Sequence, residues 1–302
     1  MSAYRSHGTA LLSALVIVAI ATTIASALAL DTGLQIRRAE GALARRTALA
    51  VTGGTEALAA QALTEQLKVP EEPIHAGQRW AAPLGPLPFT SQSSARAQLV
   101  DLQGRFNLNR LIDESGRANP EAIEAFERLL VALELEPGWA RKFADWIDSA
   151  AGPSDRAINL PVTSITELMA LPDFGTERFL RLAPHIAALP RDASVNLCTA
   201  TGVVLDALAN ERQWRDADAA LARARARGCF PTREIFRTTL GGTGRFESLN
   251  RALGLSESSR HFRLVTRVRV GSTDHTLYSL LRVEMAAGAS PRVLLLTRST
   301  SE

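Results

Sequence analysis

The run from Thr9 to Leu30 contains no charged residue and follows the short polar leader Met1 to Gly8. As a helix rising ~1.5 Å per residue, such a run reaches roughly 33 Å, enough to cross a hydrocarbon core of about 30 Å. No second apolar run of comparable length follows Leu30. One membrane span and one large body on a single side of the membrane is therefore the expected topology, and everything after Leu30 must fold as a mass tethered by that helix.

Three fates fit such a start. A cleavable secretory signal has an apolar core of about 7 to 15 residues and ends in small residues. Ala27-Leu28-Ala29-Leu30 before Asp31 offers that ending, but the run is longer. A plain signal anchor is the second. The third turns on Gly8: a leader with Arg5 and His7, ending in Gly directly before the apolar helix, resembles the type III signal of type IV pilins and pseudopilins. That resemblance implies that a prepilin peptidase cuts between Gly8 and Thr9 and leaves the helix on the mature chain. Most pilins carry Glu as fifth mature residue, where it neutralises the N-terminal amine of a neighbouring subunit; here that residue is Ser13. A subunit lacking the Glu suits a filament tip, with no subunit above it. The positive-inside rule points the other way, because Arg37, Arg38, Arg45 and Arg46 follow the span while only Arg5 and His7 precede it, which by charge alone puts the body in the cytoplasm. The leader is the more specific signal and places the body in the periplasm.

With 302 residues and 46% hydrophobic content, the chain can build one sizeable core or two small ones. A net charge of +3 with Lys nearly absent gives no argument for nucleic acid. From Asp31 to Lys68 the composition favours helix, with Leu34, Leu43, Leu49, Ala57, Leu58, Ala62 and Leu67 as an apolar stripe. The membrane helix is thus expected to continue to some 60 residues, with a bend or break at Gly53-Gly54, since each Gly costs about 1 kcal/mol relative to Ala. Pro70 to Ser94 reads as a loop with a short strand near Gln78 to Ala82 and with Trp80 and Phe89 as buried anchors. Ala95 to Asn109 reads as a strand ending in a turn at Gly104.

The period then becomes helical. Pro120 to Leu135 is predicted as a helix capped by Asn119, and Pro137 to Ile147 as another. Ile158 to Leu208 repeats a pattern of β-branched residue, Asn, Leu and a Ser- or Thr-capped Leu-rich helix. Ala209 to Arg227 reads as one polar, Ala-rich helix whose Arg223, Arg225 and Arg227 form a solvated face, and Ile235 to Leu255 as helix and loop. Phe262 to Val270 alternates as a strand with one buried face, and turns lead to Thr276–Met285 and Arg292–Thr297. The C-terminus is a three-stranded meander. With the strand near Leu99 it implies one sheet interrupted by a helical insertion.

That order, with "LVDLQGRFNLNRL" (Leu99 to Leu111), "DWID" (Asp145 to Asp148), "SITELMALPDFG" (Ser164 to Gly175) and "VNLCTA" (Val195 to Ala200), resembles the minor pseudopilin K family of type II secretion, also called general secretion pathway protein K. The resemblance implies an α+β fold, with a pilin-like long N-terminal helix packed on an antiparallel sheet and a large all-α, helix-hairpin-helix-like insertion. Its expected parts are the leader 1–8, the membrane half of the helix 9–30, the periplasmic half 31–69, the sheet domain 70–106 with 259–302, and the insertion 107–258. It also implies a tip complex with minor pseudopilins I and J that starts pseudopilus assembly and meets the exported protein, in the bacterial inner membrane. The family's insertion often carries a calcium loop after "DWID". Here that segment offers only Asp148 and Asp155 against the six to eight oxygens calcium takes, so Asp145 and Asp148 are read as helix caps, with Trp146 and Ile147 facing the core, and no cofactor is expected.

Cys198 and Cys229 are the only cysteines. In an oxidising periplasm a bridge between them and two buried thiols are both open. The five His show no HExxH or paired metal spacing, and no Gly-rich phosphate loop or GxSxG is present, so no enzyme is expected. His185 reads as a partly buried helix residue. The rival class is a membrane-anchored DNA receptor, because "ELMALPDFGTERFLRL" resembles a helix-hairpin-helix. Asp173 stands where that hairpin needs Gly and sets a carboxylate at the phosphate position, with only Arg178 and Arg181 near. No nucleic-acid binding is therefore expected.

Overall fold

The computed structural model describes residues 6–68, 72–147, 160–285 and 290–300. Helix α1 (Ser6–Gln66) runs 61 residues without a break. It is the one helix among the described residues long and apolar enough to cross a membrane. Its large apolar side chains from Leu11 to Leu43 are exposed, whereas its last third lies on a sheet.

Strands β1 (Leu84–Thr90) and β2 (Ser93–Asp101) form a hairpin. The chain then leaves the sheet. It passes through two short parallel pairs, β3 (Phe106–Asn107) with β4 (Ile186–Ala187) and β5 (Val195–Asn196) with β6 (Leu255–Ser256). It returns as β7 (His261–Val270), β8 (Thr273–Glu284) and β9 (Arg292–Ser299). The five-stranded antiparallel sheet has the order β1-β2-β7-β8-β9.

The face of α1 on this sheet is not the Leu stripe. Ala48, Val51, Thr52, Thr55, Glu56, Ala59 and Leu63 are buried, while Leu34, Leu43, Leu49 and Leu58 are exposed. Small and polar residues let the helix lie close to the strands, and two of the buried polar groups have partners there: Thr55 Oγ1 lies 3.0 Å from Thr266 Oγ1, and Ser279 Oγ donates to Glu56 at 2.6 Å, while Thr52 Oγ1 donates to Ala48 O of its own helix. The helix is not broken at Gly53-Gly54. A Cβ on Gly54 would lie 3.2 Å from the Phe89 ring, so this glycine admits a close neighbour. Phe89 covers the helix while staying 40% exposed, and only Trp80 is a buried anchor, set edge-on to Phe262 with ring centroids 5.2 Å apart.

Two other local expectations fail. The segment near Gln78 to Ala82 is a 3-10 turn, Arg79–Ala81, and the strand is the Pro-containing β1. Proline is tolerated there because β1 is an edge strand whose outer amides need no partner. Asn210, left-handed at φ 58°, ends the helix expected to run on from Ala209, and the Asp206 carboxylate then accepts the amides of Gln213, Trp214 and Arg215.

The insertion holds α2 (Pro120–Ala132), α3 (Trp139–Ile147), α4 (Gly175–Leu182), α5 (Gly202–Ala209), α6 (Asp218–Arg225), α7 (Arg233–Thr239) and α8 (Thr243–Leu253). Asn119 caps α2 and Thr201 caps α5 through side-chain oxygens, and Ser164 with Glu167 forms a capping box on a 3-10 turn. Asp145, by contrast, lies exposed inside α3 with no capping bond among the described residues, while Ile147 is buried and Trp146 half-buried as expected. One apolar core runs from Phe106 to Leu255, separate from the clusters beneath α1. The chain thus folds around two cores, the larger belonging to the insertion.

Candidate assembly site

The insertion's position follows from the register. Along α1, Ala48 and Val51 cluster with Ala95, Val268 and Leu277, while Ala59 and Leu63 cluster with Leu99, Phe262 and Val283. Asp101 pairs with Phe262 at that second end, where β2 leaves and β7 returns. The insertion therefore emerges beside the C-terminal end of α1, at the sheet end farthest from Thr9–Leu30.

The polar residues of the sequence motifs meet at this junction. Asp101, fully sequestered, accepts from Gln103 N at 2.8 Å, Asn196 Nδ2 at 3.0 Å, Thr199 Oγ1 at 2.5 Å and Ser259 Oγ at 2.6 Å. Burial raises its pKa, and the bonds from Ser259 and Thr199 only partly offset that. Gln103 Oε1 accepts the amides of Arg260 and His261, and its Nε2 donates to Ser194 O. Two side chains thus tie the outgoing strand, the returning strand and the insertion to one another. A Cβ on Gly104 would lie 2.7 Å from Thr199 O, so only glycine allows this approach. Asn109 fastens the interior in the same way, with its Oδ1 accepting from Val162 N and its Nδ2 donating to Val162 O and Leu189 O. Sequence reading singled out none of these as functional; the only signal was polar residues inside an otherwise apolar motif.

Arg225 corrects the expected solvated Arg face. It is buried, and its guanidinium donates to the carbonyls of Phe230, Leu197 and Ala200. Arg223 and Arg227 are exposed. Cys198 and Cys229 flank this knot, joined as a disulfide with Cα atoms 4.7 Å apart. His185 is half-buried, its Nδ1 3.2 Å from Thr201 Oγ1.

On the sheet, Arg298 of β9 donates from Nε to Glu56 Oε1 at 2.7 Å, and a second bond runs from its Nη2 to Oε2. Burial alone would raise the Glu56 pKa, yet the bonds from Arg298 and Ser279 outweigh it and hold the carboxyl below its usual value.

The hairpin that suggested DNA is committed elsewhere. Asp173 and Gly175 adopt positive φ of 65° and 76°. Arg178 forms a two-pronged pair with Glu136 at 2.9 and 2.8 Å, and its Nη1 bonds to the carbonyls of Asp173 and Phe174. Arg181 pairs with Glu177 at 3.1 Å. Arg178 thus braces the hairpin and ties it to Glu136, while Arg181 pairs along α4. Asp148 and Asp155 lie outside the described residues, and among those described no group of three or more His, Cys, Asp or Glu could hold a metal ion. Gly8 lies in the first turns of α1, and Ser13 on its exposed span.

Among solved structures, the chain is similar to one from the GspK-GspI-GspJ complex of the enterotoxigenic Escherichia coli type 2 secretion system, with a TM-score of 0.69 and 24% identity over 88% of this chain and 99% of that one. Helix, sheet and inserted helical body define a pilin-like subunit with one helix long and apolar enough to cross a membrane. Residues 104–191 match the family model for type II secretion system protein K. Type II secretion system protein K of Pectobacterium carotovorum is 30% identical, covering 92% of this chain and 93% of its own length; that of Pseudomonas aeruginosa is 28% identical, covering 91% and 88%. The chain belongs to the type II secretion system protein K family and is a minor pseudopilin.

Proposed function

We propose that this minor pseudopilin occupies the tip of the pseudopilus, in a complex with the partner pseudopilins I and J, and that the complex starts filament assembly. The observation that carries this reading is the place of the insertion, at the sheet end farthest from the membrane span. A helical body at that end suits a terminal subunit. Ser13 agrees, since a terminal subunit has no amine above it to neutralise. The exposed Leu34, Leu43, Leu49 and Leu58 lie around α1 outside its contact with the sheet, apolar positions open to neighbouring α1 helices.

In this reading a prepilin peptidase cuts between Gly8 and Thr9, the single helix anchors the chain in the inner membrane, and both cores lie in the periplasm. The insertion faces outward, where it meets exported protein, and its role is to assemble and to bind without catalysing a reaction. The test is co-expression in the host followed by membrane extraction and mass spectrometry. The mature chain should begin at Thr9 and recover I and J in a 1:1:1 complex, and Gly8→Val should abolish both processing and recovery. An N-terminus at Asp31, or recovery without pilin-like partners, contradicts the reading.

A further inference from the structure

The insertion carries a concavity of about 760 Å³ between the loop after β3, the turn at Arg191-Asp192 and the end of α8. Four guanidiniums line it, those of Arg110, Arg117, Arg191 and Arg251, together with the carboxylates of Asp113, Glu114 and Asp192. None of these arginines has a side-chain ion pair within 4.0 Å among the described residues. Asp113 is spent on its own turn, accepting from Ser115 N, Ser115 Oγ and Arg117 N.

Arg191 is the undersatisfied guanidinium, while Arg117 Nε already donates to Ser115 Oγ at 3.0 Å. Arg191 Nε is buried with no hydrogen-bond partner, its Nη1 reaching only Asp113 O at 3.5 Å. Arg110 packs against Gly254, where a Cβ would lie 2.7 Å from Nη2, and its Nε reaches Ala193 O at 3.4 Å. Burial lowers the Arg110 pKa, and the charges of Asp192 and Glu114 do not restore it. A buried donor without a partner costs about 1 to 3 kcal/mol, and guanidinium is the group best matched to a planar carboxylate.

We propose that this cleft binds carboxylates presented by an acidic segment of a partner protein. Its volume lies within the roughly 300 to 1,000 Å³ of ligand sites and far exceeds what one phosphate fills, and four guanidiniums against three carboxylates leave its lining net positive.

The experiment uses the full chain in detergent, titrated with a fluorescein-labelled hexaglutamate peptide and, separately, with inorganic phosphate at about 150 mM salt. Arg251 is exposed in the last turn of α8, so Arg251→Gln leaves the fold intact; Arg191→Gln is the second variant, and Arg141→Gln, outside the cleft, is the control. Peptide binding weakened roughly tenfold by Arg251→Gln and by Arg191→Gln, and unchanged by Arg141→Gln, is expected. Equal weakening by Arg141→Gln would mean non-specific attraction and overturn the proposal. Binding of phosphate but not peptide would equally overturn it, leaving a small-anion site only.

Discussion

Asp101 and Glu56 are buried carboxylates with opposite fates, and the difference lies in their donors. Asp101 meets only neutral groups, so burial prevails and its pKa is raised; Glu56 meets the Arg298 guanidinium, and its pKa is lowered. The linkage signs are therefore opposite. Stability contributed by Glu56 is full above its unfolded value near 4.5 and is lost as pH falls through the lower folded value. That of Asp101 is full at acid pH and is lost as pH rises through its raised folded value. Urea melts at several pH values should show the gap between wild type and Glu56→Gln closing on acidification. Asp101→Ala strands donors from Gln103, Asn196, Thr199 and Ser259 and should cost about 2 to 4 kcal/mol. At the knot around Arg225, replacing both cysteines by Ala should cost roughly 3 to 4 kcal/mol, read as a drop in urea midpoint that reductant reproduces in the wild type and not in the variant. The partnerships of Asp101, Glu56 and Arg225 were not legible in the sequence, because Asp101 lies about a hundred residues from Asn196 and Thr199, and Arg225 had no local sign of burial; the Cys198–Cys229 bridge was one of two open readings.

Among the elements, α1 separates what patterning reveals from what it hides. Its length followed from composition and the absence of proline. Its buried face did not, because Ala48, Thr52, Thr55 and Ala59 share the packing with Val51 and Leu63, and size alone does not tell those two from the exposed Leu49 and Leu58. Buried and exposed positions should respond differently. Leu63→Ala, at a fully buried position, should cost about 2 to 4 kcal/mol. Leu49→Arg and Leu58→Arg should change stability by less than about 0.5 kcal/mol yet reduce co-purification of the partner pseudopilins. The meander β7-β8-β9 was legible from its alternation, whereas β1 was hidden by the Pro and Gly that an edge position tolerates.

For the molecule as a whole, the long helix, the interrupted sheet and the helical insertion were all readable in order, because each rests on a change of hydrophobic period. Their relative placement was not. It depends on register between strands far apart in sequence, and that register sets the insertion at the membrane-distal end. If that placement ends the filament, Ser13→Glu should leave secretion unchanged, since no subunit above requires the charge. The most direct test is immunogold labelling of the insertion on intact pseudopili sheared from the host. The account predicts label at a single end of each filament; label repeated along the shaft would show subunits stacked above this one and would contradict it.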